Sequence, residues 1–143
     1  MAQAVVSTIT DIARSKFAEM LSIGRSFTVT TFVTGQGGHD PGDVAVALTP
    51  NPSSLTLPQQ TFGPKAITSK SLISPFCVQY QADLLDLEAV GPISNIGLIA
   101  TYTYSPIPSD PLIGQTFLFA VGNMPLQIKT DSESKTFLVQ VQF

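Results

Sequence analysis

Between Ser105 and Pro111 the chain reads Ser-Pro-Ile-Pro-Ser-Asp-Pro, with three prolines in six positions. Proline removes a backbone donor and fixes φ, so neither a helix nor a paired strand runs through such a segment. A nearly continuous apolar run lies on each side. The first is Ile93-Ser-Asn-Ile-Gly-Leu-Ile-Ala100, which leads into Thr101-Tyr-Thr-Tyr104. The second is Phe117-Leu-Phe-Ala-Val-Gly-Asn-Met-Pro125, which leads to Lys129. Runs of this length, rich in branched and aromatic side chains and punctuated by glycine, read as buried strands. Joined by a proline-locked excursion, they predict a long-looped antiparallel pair at the middle of a sheet. Gly97 and Gly122, inside the two runs, predict a bulge or a close backbone approach.

The 143 residues suffice for one domain, 1–143, with a single core. Charged residues make up 12% of the chain, against about 25% in an ordinary soluble domain. Hydroxyl and amide side chains must therefore cover much of the exterior. Such a surface is cheap to desolvate when its groups find new partners, which points to a subunit packed against neighbours. The net charge is −3 and no basic residue falls between Lys70 and Lys129. No basic stripe for nucleic acid is present. Cys77 is the one cysteine, which excludes an internal disulfide and a cysteine-based zinc site. No run reaches the roughly 18 apolar residues of a membrane span. The opening Met-Ala-Gln-Ala-Val-Val-Ser lacks the pattern of a secretory signal. The expectation is a protein made in a cytoplasm and assembled there.

Residues 7–24 carry the helix signal. Ser7 or Thr8 serves as N-cap, Asp11 falls in the first turn, and Gly24 ends the helix. Ile9, Ile12, Ala13, Phe17, Met20 and Leu21 supply its apolar face. Residues 27–143 read as strands. Phe27–Thr34 is one, broken by Gly35-Gln-Gly-Gly-His-Asp-Pro-Gly42, which reads as a mobile or partner-ordered surface loop. Phe76–Ala82 alternates, with Phe76, Val78, Tyr80 and Ala82 toward the core and Cys77 on the other face. Asp83–Glu88 is an acidic turn. Lys135–Phe143 is a last strand with Phe137, Val139, Val141 and Phe143 on one face, either closing the core or offering an edge to a neighbour. The predicted fold is mainly β: an antiparallel β-sandwich of about six to eight strands with one N-terminal α-helix.

Chemistry is sparse. The glycine-rich loop has neither the G-x-G-x-x-G spacing nor a following Lys-Ser/Thr, and Pro41 and Gly42 oppose the helix a phosphate site needs. His39 is the one histidine. A serine triad would have to use it, and no G-x-S-x-G elbow presents a serine. The acidic turn lacks the spacing of a calcium loop. No cofactor and no metal is expected, and no enzymatic activity.

The order of features resembles the N-terminal, particle-proximal domain of bacteriophage tail-collar fibre proteins. That family opens with a helix and then a strand running into glycines, here Phe27-Thr-Val-Thr-Thr-Phe-Val-Thr-Gly-Gln-Gly-Gly38. Its downstream strands are similar to Ile93-Ser-Asn-Ile-Gly-Leu-Ile99 and to Phe117–Pro125 followed by Lys129. The resemblance covers most of the chain and implies a structural connector that fixes a fibre to the tail baseplate. This chain stops where the family's shaft would begin, so the expectation is a free-standing baseplate or fibre-adaptor subunit of the virion. Its expected partners are other tail proteins, the baseplate wedge and the tail fibre, and the isolated protein is expected to trimerise or to bind one of them. Candidate partner contacts are Gly35, Gly37, Gly38, His39 and Asp40 in the loop and Val139, Val141 and Phe143 in the last strand. The competing reading is a small carbohydrate-binding or adhesin module with Tyr80, Tyr102 or Tyr104 as its aromatic platform.

Overall fold

In the computed structural model, which describes residues 2–143, the two apolar runs do pair at the centre of a sheet. The elements in chain order are β1 (Ala2–Ile9), α1 (Asp11–Ser22), β2 (Ser26–Gly35), β3 (His39–Asp40), β4 (Asp43–Ala47), β5 (Gln60–Ala66), β6 (Ser69–Ser74), β7 (Cys77–Leu84), β8 (Gly91–Tyr104), β9 (Thr116–Lys129) and β10 (Lys135–Gln142). One eight-stranded sheet has the order β5-β2-β8-β9-β1-β10-β7-β6, and β3 and β4 form a separate ribbon. The fold is therefore mainly β with one helix, as the sequence predicts.

Residues 2–10 depart from expectation. Residues 7–9, read as the start of the helix, belong to β1, which runs parallel to β10 from Ala2↔Thr136 to Ser7↔Val141. It also pairs antiparallel with β9 at Ser7–Ile9, so the sheet is mixed. The helix begins at Asp11, and its cap is Thr10 rather than Ser7 or Thr8. Thr10 is fully buried, and its Oγ1 accepts from Ala13 N at 3.2 Å while donating to the Leu118 carbonyl at 2.6 Å. The cap thus fastens the helix to β9 as well as starting it.

The two edge strands, β5 and β6, follow one another in the chain. Only Ile67 and Thr68 separate them, a link that spans at most about 11 Å. The sheet must therefore curl until its edges meet. Ile67 N donates to the Thr30 carbonyl of β2 at 3.1 Å, and Thr68 N donates to the Gln81 carbonyl of β7 at 2.9 Å. Residues 60–74 so act as one bent strand, bonded first to β2 and then to β7, and the sheet wraps into a sandwich-like body.

The interior holds Phe32, Ile96, Leu98, Phe119, Phe137, Val139 and Tyr80, drawn from both halves of the curled sheet. A second cluster of Val33, Leu57, Leu118 and Val121 lies apart from it, and for this reason β8 and β9 are buried on both faces over much of their length. The glycines in these strands are sites of close approach. A Cβ on Gly122 would stand 2.6 Å from Val5 Cγ1, and one on Gly97 would stand 2.9 Å from Leu118 Cδ1. Helix α1 sets Phe17 edge-on against Phe27, with ring centroids 5.1 Å apart, and against Phe119 at 6.0 Å.

Two further expectations change. Phe76 precedes β7 and is 70% exposed, whereas Cys77 is buried. The last strand is no edge: β10 lies between β1 and β7, bonded on both sides.

Candidate functional site

The residues singled out from sequence separate into three environments. Val139 and Val141 are fully buried in β10 and offer nothing to a partner, while Phe143 is about half exposed and packs against Phe17 and Phe119. The glycine-rich stretch is the second environment, and it is built into the fold. Gly35 still belongs to β2, opposite Asn95. At Gly37 a Cβ would meet the Pro58 carbonyl oxygen at 2.6 Å, and at Gly38 it would overlap the Ser94 carbonyl oxygen outright. Only glycine lets these backbones approach so closely. The reading of a mobile loop fails because its packing partners, residues 58–59 and 94, are remote in sequence.

That packing brings His39 onto Ser94. The fully buried Ser94 Oγ accepts the Gly38 N–H at 2.9 Å and pairs with His39 Nδ1 at 2.8 Å. The contact resembles a nucleophile and its base, but its geometry is structural. Ser94 has no exposed surface, and His39 bonds no carboxylate among the described residues. Its neighbour Asp40 turns its Oδ1 to Gly42 N at 2.8 Å, closing the Pro41-Gly42 turn between β3 and β4. Among the described residues no three His, Cys, Asp or Glu side chains gather where they could hold a metal ion. Among the described residues no helix is long and apolar enough to cross a membrane.

The third environment is exposed apolar strand. All five residues of β4 are exposed, and Val44 and Val46 remain 50% and 46% accessible beside Leu48. Leu48 is tied down through its backbone, donating to the Gly38 carbonyl at 2.8 Å and accepting from Asn123 Nδ2 at 3.0 Å. Every residue of edge strand β6 is exposed too, with Leu72 at 70%. By contrast, the three tyrosines share no surface. Tyr80 and Tyr102 are buried, Tyr102 donating to Glu19 Oε2 at 3.0 Å, and only Tyr104 is exposed.

The proline excursion is held by charge. Asp110 accepts from Ser105 Oγ at 2.6 Å, from Arg25 Nε at 2.7 Å and from Leu112 N at 3.1 Å. These donors, the Ser105 hydroxyl first and the Arg25 guanidinium next, hold its carboxyl well below the usual range, at about 2. A carboxylate whose pKa is depressed on folding adds stability above its unfolded value and loses it as pH falls through the folded one. Urea midpoints should therefore drop as pH falls from about 4 to about 2. Asp110→Asn should be less stable at neutral pH and lose less over that window. Parallel pH profiles of the two proteins would show Asp110 to be uninvolved.

The acidic turn is organised from beneath by a fully buried lysine. Lys129 Nζ donates to the carbonyls of Leu85 and Asp86, both at 2.8 Å, and to that of Thr130 at 3.4 Å. Compared with known protein families and with curated protein sequences, the chain matches neither.

Proposed function

We propose that this chain is a non-enzymatic structural protein of a bacteriophage tail, a baseplate or fibre-adaptor subunit that connects tail fibres to the baseplate. The resemblance of its strand order and motifs to the particle-proximal domain of tail-collar fibre proteins supplies the viral context. The observation that carries the binding role is the apolar strand surface of β4 and β6. Exposed strands with Val, Leu and Ile side chains suit partners that bind by adding a strand and burying the apolar side chains. A chain with so few charges gives up little hydration when such surfaces close. The buried Ser94 and the absence of a carboxylate on His39 among the described residues favour holding over catalysis.

The test is composition. Mass spectrometry and immunogold labelling of purified tail particles should find the chain at a fixed copy number near the fibre attachment site. The double variant Val44→Asp, Val46→Asp should keep its stability to within about 0.5 kcal/mol and be missing from those particles. A wild-type chain that stays monomeric and is absent from purified tails would overturn the reading.

A further inference from the structure

Where the bent strand changes partners, its second half parts from β2. Pairing of β2 with β5 covers Thr31–Gly35, so the edge of Ser26–Val29 that looks toward β6 has no strand partner. Between the two lies a recess of about 230 Å³. Phe17, Phe27, Phe119 and Phe143 line it, and neighbouring rings meet edge-on or tilted, with Phe17 and Phe143 6.0 Å apart. An apolar cavity of about 150 Å³ takes up benzene, so this one has room for a ring carrying a short chain.

Two polar groups enter the same space. Tyr80 lines the recess, and its hydroxyl, which bonds no other group among the described residues, keeps contact with solvent there. Lys70 is its direct cross-strand partner on β6, so the two side chains leave the sheet on the same face. Lys70, like Arg14 and Lys135, has no ion pair among the described residues, and of these three it alone lines the recess. A lysine and a tyrosine that both line a phenylalanine-rich recess match one kind of ligand.

We propose that this recess binds a small apolar carboxylate, by size a monocyclic aromatic acid. Its ring sits among Phe17, Phe27, Phe119 and Phe143, and its carboxylate is shared by Lys70 and Tyr80. The ammonium supplies a charge-assisted hydrogen bond and the phenol a second donor, so the acid is selected over neutral analogues. A lysine on the inner face of an edge strand also deters pairing with another chain, and binding measurements separate the two roles.

The probes are 3-phenylpropanoate and its neutral counterpart 3-phenylpropanol, titrated into the full chain by NMR. The acid should bind saturably and shift resonances of Phe27, Phe119 and Tyr80, and the alcohol should bind roughly tenfold more weakly. Lys70→Met and Tyr80→Phe should each weaken the acid by a similar factor without changing affinity for the alcohol, and Lys70→Arg should restore most of the loss. The wild-type comparison stands even if a variant folds poorly. No saturation by either compound up to about 10 mM, or equal binding of both with no effect of Lys70→Met, would overturn the proposal.

Discussion

Replacing Gly38 by alanine should destabilise the protein by about 3 kcal/mol or more. The added methyl would stand 2.7 Å from the Ser94 carbonyl carbon and 2.9 Å from Asn123 Oδ1. Most of that obstruction is backbone, which cannot rotate aside. Relief requires β3 to move off β8, which breaks the bond from Gly38 N and the contact of His39 with Ser94 Oγ. Gly42→Ala, in the same stretch, is the control. Its nearest neighbour would be Asp40 Oδ1 at 3.5 Å, ordinary contact, so its effect should stay within about 0.5 kcal/mol. Urea unfolding of both variants checks the pair. Equal midpoints would mean that the loop is not seated on β8 as described.

Lys129→Met should lower stability by about 2–4 kcal/mol. Methionine fills a similar volume but leaves the Leu85 and Asp86 carbonyls without their 2.8 Å donor. Each of these part-buried bonds from a charged donor contributes roughly 1.5–3 kcal/mol. Relief from burying an ammonium works in the opposite direction. Hydrogen exchange should also show the 85–88 turn opening more readily than the rest of the sheet. An unchanged midpoint would show that the hydrogen bonds do no more than offset the burial of the charge.

What could be read from the sequence follows the range of the forces involved. The β8–β9 pair was legible because proline chemistry and apolar runs act locally. Gly24 was legible as the helix end for the same reason, and it adopts φ +90°. The helix start was not. Ser7, Thr8 and Thr10 are all able caps, and the choice falls to Thr10 because its hydroxyl reaches the Leu118 carbonyl of a strand remote in the chain. Strand β1 was hidden because its pairing with β10 leaves no local pattern. The glycine stretch looked loose for a similar cause, since what fills the space beside Gly37 and Gly38 comes from Pro58 and Ser94. Of the candidate contacts, Val139 and Val141 failed because period-two alternation tells which side chains share a face, but not whether the strand has a neighbour on each side. The region of β4 reads in sequence as extended chain over the surface with a short apolar stretch, Val44–Leu48, and that stretch is an exposed strand.

The place of β1, between β9 and β10, bears on how the chain is made. Residues 2–7 leave a ribosome well before their parallel partners, residues 136–141. Until those are synthesised, the early segment has one side unclaimed and the β6–β7 hairpin has no dock. Such long-range pairing slows folding, because distant parts must meet before the gain arrives. A nascent chain halted before Lys135 should stay open to proteases along residues 2–134, and addition of residues 135–143 should close it in a single step.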